Sequence, residues 1–484
     1  MKRELLIGSL LLAGGVSAQT QAVDKKAKQP SRPNIIYILV DDLGYGDLSC
    51  YGQKKFNTPN IDKLAAEGIR FTNHYAGCAV SAPSRSSLLT GLHTGHTPIR
   101  GNLSVKPEGQ WPMPAGTITF PLLLQQAGYT TGAFGKWGLG YVGTEGDPSK
   151  QGFNEFFGFN CQTLAHNYYP DHLWHNQEKI NLPENADGKF GVYAPILIHS
   201  KAIEFIDKNK DHPFFLFYCT TIPHAELTAP IAYVEKYRNK FLPEKSFKGV
   251  DSGPKYRLGP YGSQPEVHAT FAAMVTLLDE KVGEIVAEVK KLGLEKNTII
   301  VFSSDNGPHV EGGADPDYFD SNGPLKGYKR DLYEGGIREP MIVRWPGKIK
   351  AGAVTEHVSA FWDVMPTVVE LAGIKTHVKT DGISFLPTLL GGEQKQHEFL
   401  YWEFYENGGR IAMRMGNWKA VQYNVSAVPQ PATELYDLSK DQGETNNLAA
   451  SHQDIVRKME AMMKEQHIPS SVFSFSANAM AIKE

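Results

Sequence analysis

The chain has 484 residues, of which 41% are hydrophobic and 21% charged, and its formal net charge at pH 7 is -3. This composition is typical of a globular protein with a large core. It lacks the basic field that would indicate a nucleic-acid partner.

The N-terminus has the pattern of a secretory signal peptide. Lys2 and Arg3 precede an apolar run over 5–16, and small residues end it at Ala18. The apolar run is too short to span a bilayer, and there is no cysteine near the predicted cleavage site to which a lipid anchor could be attached. We expect a signal peptide over 1–18, a linker over 19–32, and a soluble periplasmic or secreted product with no membrane anchor.

Three apolar runs predict strands buried on both faces of a sheet. They are residues 35–40, residues 298–302 and the segment "PFFLFYCTTIPHAE". Between them, "VHATFAAMVTLLDEKVGEIVAEVKKLG" has the apolar spacing of an amphipathic helix that stops near Gly293. Strands that alternate with helices predict an α/β fold with a mainly parallel sheet.

The remaining segments predict long loops and a separate C-terminal part. Residues 98–116, 143–190 and 244–266 are rich in Gly, Pro, Asn and Asp, and are expected to wall a substrate cleft. We assign 33–394 to a catalytic domain. Residues 395–484 are expected to form a smaller α+β subdomain of antiparallel strands and one helix.

Four oxygen-bearing side chains follow two of the predicted strands. Asp41 and Asp42 end the first, and Asp305 and Asn306 follow the other. Adjacent carboxylates repel each other, so a cation between them would explain the arrangement, and oxygen donors favour calcium or magnesium. Such residues also cap loops, but their recurrence after two apolar strands favours a metal site.

The stretch "GCAVSAPSRSSLLTG" predicts a helix that begins near Pro83 and stops at Gly91. Ser81 then lies at the helix N-terminus, where backbone N–H groups favour an anion, and Arg85 follows one turn later. A serine there is also a common N-cap. Position alone leaves both interpretations open.

The same stretch resembles the signature of the type I sulfatases, in the alkaline-phosphatase superfamily. The resemblance continues in order through "PNIIYILVDDLGYGD", "TPNIDKLAAEGIRFTNHYA", "GKWGLG", "SSDNGPH", "YEGGIREP" and "ELYDLSKDQGETNNL", which together span nearly the whole mature chain. It implies an alkaline-phosphatase-like fold, with a large mixed, mainly parallel sheet flanked by helices.

The resemblance also implies how the serine would become a nucleophile. In the family this residue, here Ser81, is oxidised to formylglycine (3-oxoalanine). The hydrated aldehyde is a gem-diol: one hydroxyl attacks sulfur, and the other expels sulfate as the aldehyde re-forms. A serine signature implies maturation by an anaerobic radical-type maturase, a transient partner that acts before export.

Further site residues follow from the resemblance. It implies a calcium ion, with magnesium as the alternative, held by Asp41, Asp42, Ser81, Asp305 and Asn306. It implies catalytic roles for Ser81, Arg85, Lys136, His224 and Lys329. Arg85 would steady the formylglycine, Lys136 and Lys329 would bind sulfate oxygens, and His224 would contact sulfate and protonate the leaving alcohol.

One position departs from the family pattern. Many relatives read "GKWH" where this chain has "GKWG", so Gly138 replaces a histidine that assists at the gem-diol. Either Lys136 suffices or another histidine takes the place. Three candidates are present: His166, His172 and His309. His166 is the first choice, because Gln162 and Tyr168 beside it suit a sugar-binding wall.

The expected substrate is a sulfated carbohydrate, with a galactose or N-acetylgalactosamine sulfate as the more specific expectation. Aromatic and polar side chains in the loops, with Trp402 and Glu403 nearer the C-terminus, suit a sugar ring. Two alternatives stay open. A phosphoesterase of the same superfamily would normally bind two metals, and a non-catalytic sugar-binding protein would keep Ser81 unmodified. The four cysteines lack a C-x-x-C pattern, so mostly buried thiols are expected.

Overall fold

The computed structural model describes residues 32–475. The predicted signal peptide and the linker up to residue 31 lie outside the described residues. Among the helices of the described range, none is long and apolar enough to cross a membrane.

The described range contains seventeen strands and twelve α-helices, besides seven short 3-10 helices. The strands are β1 (Asn34–Asp41), β2 (Ile69–Tyr75), β3 (Ser104–Val105), β4 (Gly109–Gln110), β5 (Thr130–Lys136), β6 (Glu155–Phe159), β7 (His172–His175), β8 (Glu178–Asn181), β9 (Phe214–Pro223), β10 (Thr298–Ser304), β11 (Arg338–Arg344), β12 (Ala353–Thr355), β13 (Ser359–Ala360), β14 (Leu400–Phe404), β15 (Arg410–Met415), β16 (Trp418–Tyr423) and β17 (Glu434–Asp437). The helices are α1 (Pro59–Ala66), α2 (Ser81–Thr90), α3 (Phe120–Gln126), α4 (Gln162–Ala165), α5 (Ala194–Asn209), α6 (Ile231–Val234), α7 (Val267–Lys291), α8 (Pro316–Phe319), α9 (Glu334–Ile337), α10 (Val364–Leu371), α11 (Leu386–Leu390) and α12 (Gln453–Gln466).

The three predicted strands are neighbours at the centre of a large mixed sheet. Its order is β12-β2-β11-β10-β1-β9-β5-β6-β7-β8, with β13 paired to β2. β1 pairs in parallel with β10 and with β9, and β5 pairs in parallel with both β9 and β6. Every residue of β1, β9 and β10 is buried, which explains why their sequences are continuously apolar.

Helices cover both faces of this sheet, so alternate residues of β1 enter different cores. Ile36 and Ile38 pack in the layer that holds α5 and α7, whereas Ile35 and Leu39 pack in the layer that holds α2, α3 and α10. The predicted amphipathic helix is α7, and Gly293 lies just beyond its end with φ +71°. The α/β prediction with a mainly parallel sheet is confirmed.

A second, antiparallel sheet of order β14-β15-β16-β17 follows, and α12 packs on it. Trp402 of β14 is buried against Tyr75 of β2 and Trp362, with ring centroids 5.4 and 5.5 Å apart. The small C-terminal antiparallel sheet is therefore confirmed, while the domain boundary at 394/395 stays a prediction. All four cysteines are free thiols, and three of them are buried.

Candidate active site

The carboxyl ends of β1 and β10 bring the four predicted metal ligands together. Because the strands are parallel neighbours, Asp41 and Asp42 meet Asp305 and Asn306 at one edge of the sheet. Asn306 Nδ2 donates to Asp42 Oδ1 at 2.7 Å, and the Asp42 backbone N–H donates to Asp305 Oδ1 at 3.2 Å. All four side chains are fully buried.

Ser81 is the first residue of α2 and lies against this cluster. Its Oγ donates to Asp41 Oδ1 at 2.9 Å. One turn further, Ser84 Oγ donates to the Asp305 backbone carbonyl at 2.6 Å and ties the helix to the end of β10. Ser81 is only 1% exposed, so little of its side chain is accessible at the floor of the site.

Arg85 is buried one turn into α2 and holds Asp305. Its Nε and Nη2 donate to Asp305 Oδ2 at 3.0 and 2.9 Å, and its other terminal nitrogen donates to the Lys136 carbonyl. Two N–H groups on one carboxylate oxygen fix the orientation of the carboxylate. Arg85 therefore orders the cluster.

Lys136 ends β5 and connects Asp41 to Ser81. Its Nζ lies 2.7 Å from Asp41 Oδ2 and 3.2 Å from Ser81 Oγ. Burial alone would raise the pKa of Asp41, but the neighbouring groups together outweigh it and lower that pKa below its usual value, with Lys136 contributing most among them. Burial lowers the pKa of Lys136, and Asp41 opposes this effect.

Lys329 and His224 form the other side of the site. Lys329 Nζ lies 2.8 Å from Asp42 Oδ2 and 3.1 Å from His224 Nε2. Burial opposes charge on Lys329, but Asp42 and Glu311 outweigh it and raise its pKa, so it stays an ammonium. Burial and Lys329 hold the pKa of His224 well below its usual value. The neutral ring donates from Nδ1 to the Ala225 carbonyl and accepts at Nε2.

The donor set fits a hard cation. Asn306 Oδ1 is buried and has no hydrogen-bond partner among the described residues. Burial and the charge of Asp41 raise the pKa of Asp305, because an added negative charge there lacks full compensation. A calcium or magnesium ion would satisfy the Asn306 oxygen and neutralise the carboxylates.

A second group of potential ligands lies next to the first. Asp42, His309 and Glu311 also bring ligand atoms close enough to share an ion. The ammonium of Lys329 is already there, 2.8 Å from Asp42 Oδ2 and 3.6 Å from Glu311 Oε1. The positive charge of Lys329 therefore lies where a second metal ion would be bound by these acidic side chains.

A cleft of about 490 Å³ opens above Ser81. All three loop segments predicted to wall a cleft contribute to it, and the sequence reasoning missed several other lining residues: Arg330, Tyr405, Glu406, Asn407, Val472, Phe473 and Ser474. Arg330 adjoins the recognised Lys329, and that adjacency could have drawn attention to it. Residues 472–474 carried no motif or periodicity that could have done so.

Two of the candidate histidines contact His224. His166 lines the cleft and stacks on His224 with ring centroids 5.2 Å apart, and its Nδ1 lies 2.8 Å from the Gly259 carbonyl oxygen. Burial lowers the pKa of His166 to about 4. His309 also stacks on His224, at 5.6 Å, but it is buried and does not line the cleft.

Two predicted substrate contacts lie away from the cleft. His172 pairs with Glu108, its Nε2 lying 2.9 Å from Oε2. Glu403 is fully buried and accepts hydrogen bonds from Tyr401 and Tyr405. The structure therefore does not bear out the expectation that His172 and Glu403 contact a sugar, because a carboxylate partner holds His172 and two tyrosine hydroxyls hold Glu403 in the protein interior. Trp402 is likewise fully buried.

Gln162, rather than a histidine, occupies the space beside Gly138. Gly138 has φ +78°, and a Cβ built on it would lie 2.5 Å from Gln162 Nε2. Both Gln162 and Ser81 line the cleft. The interpretation that His166 fills this particular gap is wrong, although His166 is close by.

Buried carboxylates at the ends of adjacent parallel strands, with a serine at a helix N-terminus among lysine and arginine side chains, define a hydrolase site of the alkaline-phosphatase superfamily. Residues 33–374 match the sulfatase family model, and residues 327–468 match the model of the N-sulphoglucosamine sulphohydrolase C-terminal region. The chain therefore belongs to the sulfatase family.

Named relatives agree with this assignment. Human arylsulfatase A is 32% identical over 465 residues, covering 86% of this chain and 83% of its own. The N-acetylgalactosamine-6-O-sulfatase of Bacteroides thetaiotaomicron is 30% identical over 545 residues, covering 95% and 97%. The crystal structure of Ps i-CgsB in complex with k-i-k-neocarrahexaose has a TM-score of 0.76 and 30% identity, covering 91% and 94%. The chain is accordingly an enzyme, a sulfuric ester hydrolase.

Proposed function

We propose that this protein is an exported, calcium-dependent sulfatase that hydrolyses sulfate monoesters of a carbohydrate after Ser81 has been oxidised to formylglycine. The observation that carries the proposal is the position of Ser81 Oγ. It lies 2.9 Å from Asp41 Oδ1 and 3.2 Å from Lys136 Nζ, at the base of a cleft large enough for a sugar.

The residues around Ser81 would bind the metal ion, supply the nucleophile and hold the metal ligands in place. Asp41, Asp42, Asp305 and Asn306, with the modified residue 81, would hold the ion. Formylglycine would supply a gem-diol nucleophile, and calcium would polarise the bound sulfate. Arg85 keeps Asp305 in place, since two of its nitrogens donate to the same carboxylate oxygen, at 3.0 and 2.9 Å.

The cationic side chains would bind the anionic substrate, and His224 would handle the leaving-group proton. Lys136 and Lys329 present ammonium groups to sulfate oxygens. Lys329 Nζ donates to His224 Nε2 at 3.1 Å and orients the imidazole, which lines the cleft and would pass the proton released by the attacking hydroxyl to the departing alcohol oxygen. The net reaction adds water across the S–O ester bond and yields the free hydroxyl and sulfate.

Lys329 also bears on the phosphoesterase alternative. A two-metal phosphoesterase would need a second ion near Asp42, His309 and Glu311. In this chain a lysine ammonium lies between two of those acids and replaces the second cation by a fixed positive charge. This substitution favours a one-metal site and a monoester of lower charge, which describes a sulfate ester better than a phosphate ester.

The substrate class rests on the relatives and on the cleft. Several relatives are named N-acetylgalactosamine-6-sulfatase, and hydrogen-bonding groups such as Asn102, Gln110 and Tyr261 line the cleft beside aromatic Tyr405. We propose N-acetylgalactosamine or galactose sulfates as the first substrates to assay, with the 6-sulfate of N-acetylgalactosamine foremost.

Mass spectrometry of the peptide that contains Ser81 tests the proposal. Protein produced together with an anaerobic radical-type maturase should carry a residue lighter by two hydrogens, or its hydrate, and should hydrolyse 4-nitrophenyl sulfate and the sulfated sugar. Protein produced without the maturase should keep serine and be inactive. Active enzyme that carries only unmodified serine would refute the mechanism.

A further inference from the structure

The side-chain amide of Gln162 is a buried donor without a partner in the active-site cleft. Gln162 is only 8% exposed, and its Nε2 has no hydrogen-bond partner among the described residues. A buried amide N–H₂ that lacks a partner is unfavourable, and native proteins rarely keep one unless something else satisfies it. The cleft is therefore where its partner should be sought.

The backbone holds Gln162 at this place. It is the first residue of α4, two residues separate it from the end of β6, and its N–H donates to Gln110 Oε1 at 3.3 Å. Gln110 lines the same cleft and belongs to the hairpin of β3 and β4. The side chain of Gln162 thus extends from a fixed backbone rather than from a free loop.

Gly138 makes room for this side chain. A Cβ at position 138 would come within 2.5 Å of Gln162 Nε2, and the φ of +78° also disfavours any other residue there. Gly138 lies two residues beyond Lys136, whose ammonium is 3.2 Å from Ser81 Oγ. The amide therefore adjoins the part of the cleft in which the reacting group must lie.

We propose that Gln162 is a sulfate-binding residue, whose Nε2 donates a hydrogen bond to an oxygen of the substrate sulfate. The chemistry matches, because sulfate oxygens only accept hydrogen bonds and the free group of Gln162 only donates them. The inference rests on the proposed sulfatase function and adds a neutral donor to the cationic groups of Lys136 and Lys329. Gly138 and Gln162 act as a pair.

The test uses three probes on the mature, formylglycine-containing enzyme: the 6-sulfate of N-acetylgalactosamine, 4-nitrophenyl sulfate, which has no sugar, and inorganic sulfate as an inhibitor. Gln162→Leu should lower kcat/KM for both esters by about 10- to 100-fold and weaken sulfate inhibition similarly, the usual loss of a hydrogen bond to a charged group. Gln162→Glu, which has the same shape but a repelling charge, should lose more. Gln126→Glu is the matched control, because Gln126 is an exposed residue of α3 outside the cleft.

The result that would overturn the proposal is equally specific. If the loss appears with the sulfated sugar alone and spares both 4-nitrophenyl sulfate and inorganic sulfate, Gln162 contacts the sugar. If all three probes behave as with wild type, the amide has no role. Calorimetry of inorganic sulfate binding to the wild type and the variants shows whether Gln162 binds sulfate even if the wild type hydrolyses neither ester. In that case the proposed sulfatase function fails, and the role of Gln162 in sulfate binding is still decided.

A double-mutant cycle tests the pairing with Gly138 separately. Gly138→Ala should displace the flexible Gln162 side chain and reduce activity by about tenfold or more, whereas in the Gln162→Ala background the same change should cost less than about threefold. Backbone strain from the positive φ lowers the melting temperature equally in both backgrounds, so thermal denaturation separates strain from displacement. Equal losses of activity in the two backgrounds would show that Gly138 and Gln162 act independently.

Discussion

The imidazole rings of His166 and His224 are stacked, with centroids 5.2 Å apart and planes inclined by 18°. His224 also accepts from Lys329 at Nε2, so its ring orientation matters for any proton that it passes to a substrate. The Nδ1 of His166 faces the Gly259 carbonyl, which fixes the ring that His224 packs against. His166 thus positions a neighbour, and it is itself neutral at pH 7 because burial lowers its pKa to about 4.

We expect His166→Ala to lower kcat more than it raises KM, because His224 loses the surface that orients it. His166→Phe keeps a ring in the stack and should retain more of the activity than His166→Ala. Single-turnover kinetics on a sulfated monosaccharide measures both. If the two variants are equally impaired, a ring nitrogen of His166 matters instead of its packing.

Asp305→Ala should remove activity and calcium binding together. The loss should exceed the roughly 10- to 100-fold that removal of an outer partner of a metal site costs. The calcium-dependent rise in melting temperature should vanish, which thermal denaturation with calcium and with chelator measures.

Two further variants of aspartate complete that test. Asp305→Ala also removes the nearer of the two carboxylates that pair with the buried Arg85, so it should lower stability in chelator as well, whereas Asp305→Asn keeps an acceptor and should lower it less. Asp211→Ala, at an exposed turn, is the control and should change nothing. Full activity of the wild type in excess chelator would contradict the metal assignment.

Glu403→Ala should reduce stability and leave substrate binding nearly unchanged. The carboxylate is buried among Tyr401, Tyr405 and Arg100, whose Nη1 lies 3.6 Å from Oε2. Removing one partner of a buried charge pair costs about 3–5 kcal/mol. Urea denaturation should show this loss, and Glu403→Gln, which keeps the shape, should lose less. A large rise in KM without loss of stability would show that Glu403 contacts the substrate.

Phe473→Ala should weaken binding of the sugar and spare the chemistry. Phe473 lines the cleft near Gly101, and the loss of one aromatic contact corresponds to about a 2- to 10-fold change in affinity. KM for a sulfated sugar should rise, while kcat and the hydrolysis of 4-nitrophenyl sulfate stay near wild type. Phe190→Ala, at a surface position 62% exposed and outside the cleft, is the matched control.

Acid should destabilise the protein in part through His74. Burial lowers the pKa of His74 to about 3 from 6.5. Between these two pH values only the unfolded chain binds the proton. The contribution of neutral His74 to the free energy of unfolding is therefore complete above pH 6.5 and is lost as the pH falls toward 3. The loss is about 1.4 kcal/mol per pH unit.

His74→Phe should therefore make the free energy of unfolding less dependent on pH between 6 and 4. The new ring fits beside Phe71, Phe361 and Phe385, which already pack around His74. Guanidinium denaturation at several pH values measures the slope, with exposed His212→Phe as the control. An unchanged slope would show that His74 does not remain neutral in the folded protein.

The sequence predicted the centre of the fold because that part is governed by burial alone. Strands β1, β9 and β10 are buried on both faces, so their apolar runs are continuous, and parallel pairing then required Asp41 and Asp305 to meet. The resemblance to the sulfatase motifs identified Lys136 and Lys329 as site residues. Their charge alone would not distinguish them from lysines on the protein surface.

The misses have physical reasons too. Glu403 follows an aromatic residue on a short strand, and a charge there suggests exposure unless the partners that bury it are known. Gln162 occupies the space left by the missing Cβ of Gly138, and the sequence alone does not show that these two residues meet. Residues 472–474 reach the cleft by tertiary contact, without any local pattern.

Residues 472–474 complete the cleft, although they lie far from Ser81 in the sequence. The cleft therefore forms only after distant parts of the chain have folded together. Ser81 is 1% exposed once the protein has folded, so we expect an enzyme that oxidises Ser81 to act on the chain before folding is complete. A mutation that speeds folding should then shorten the time available for that oxidation.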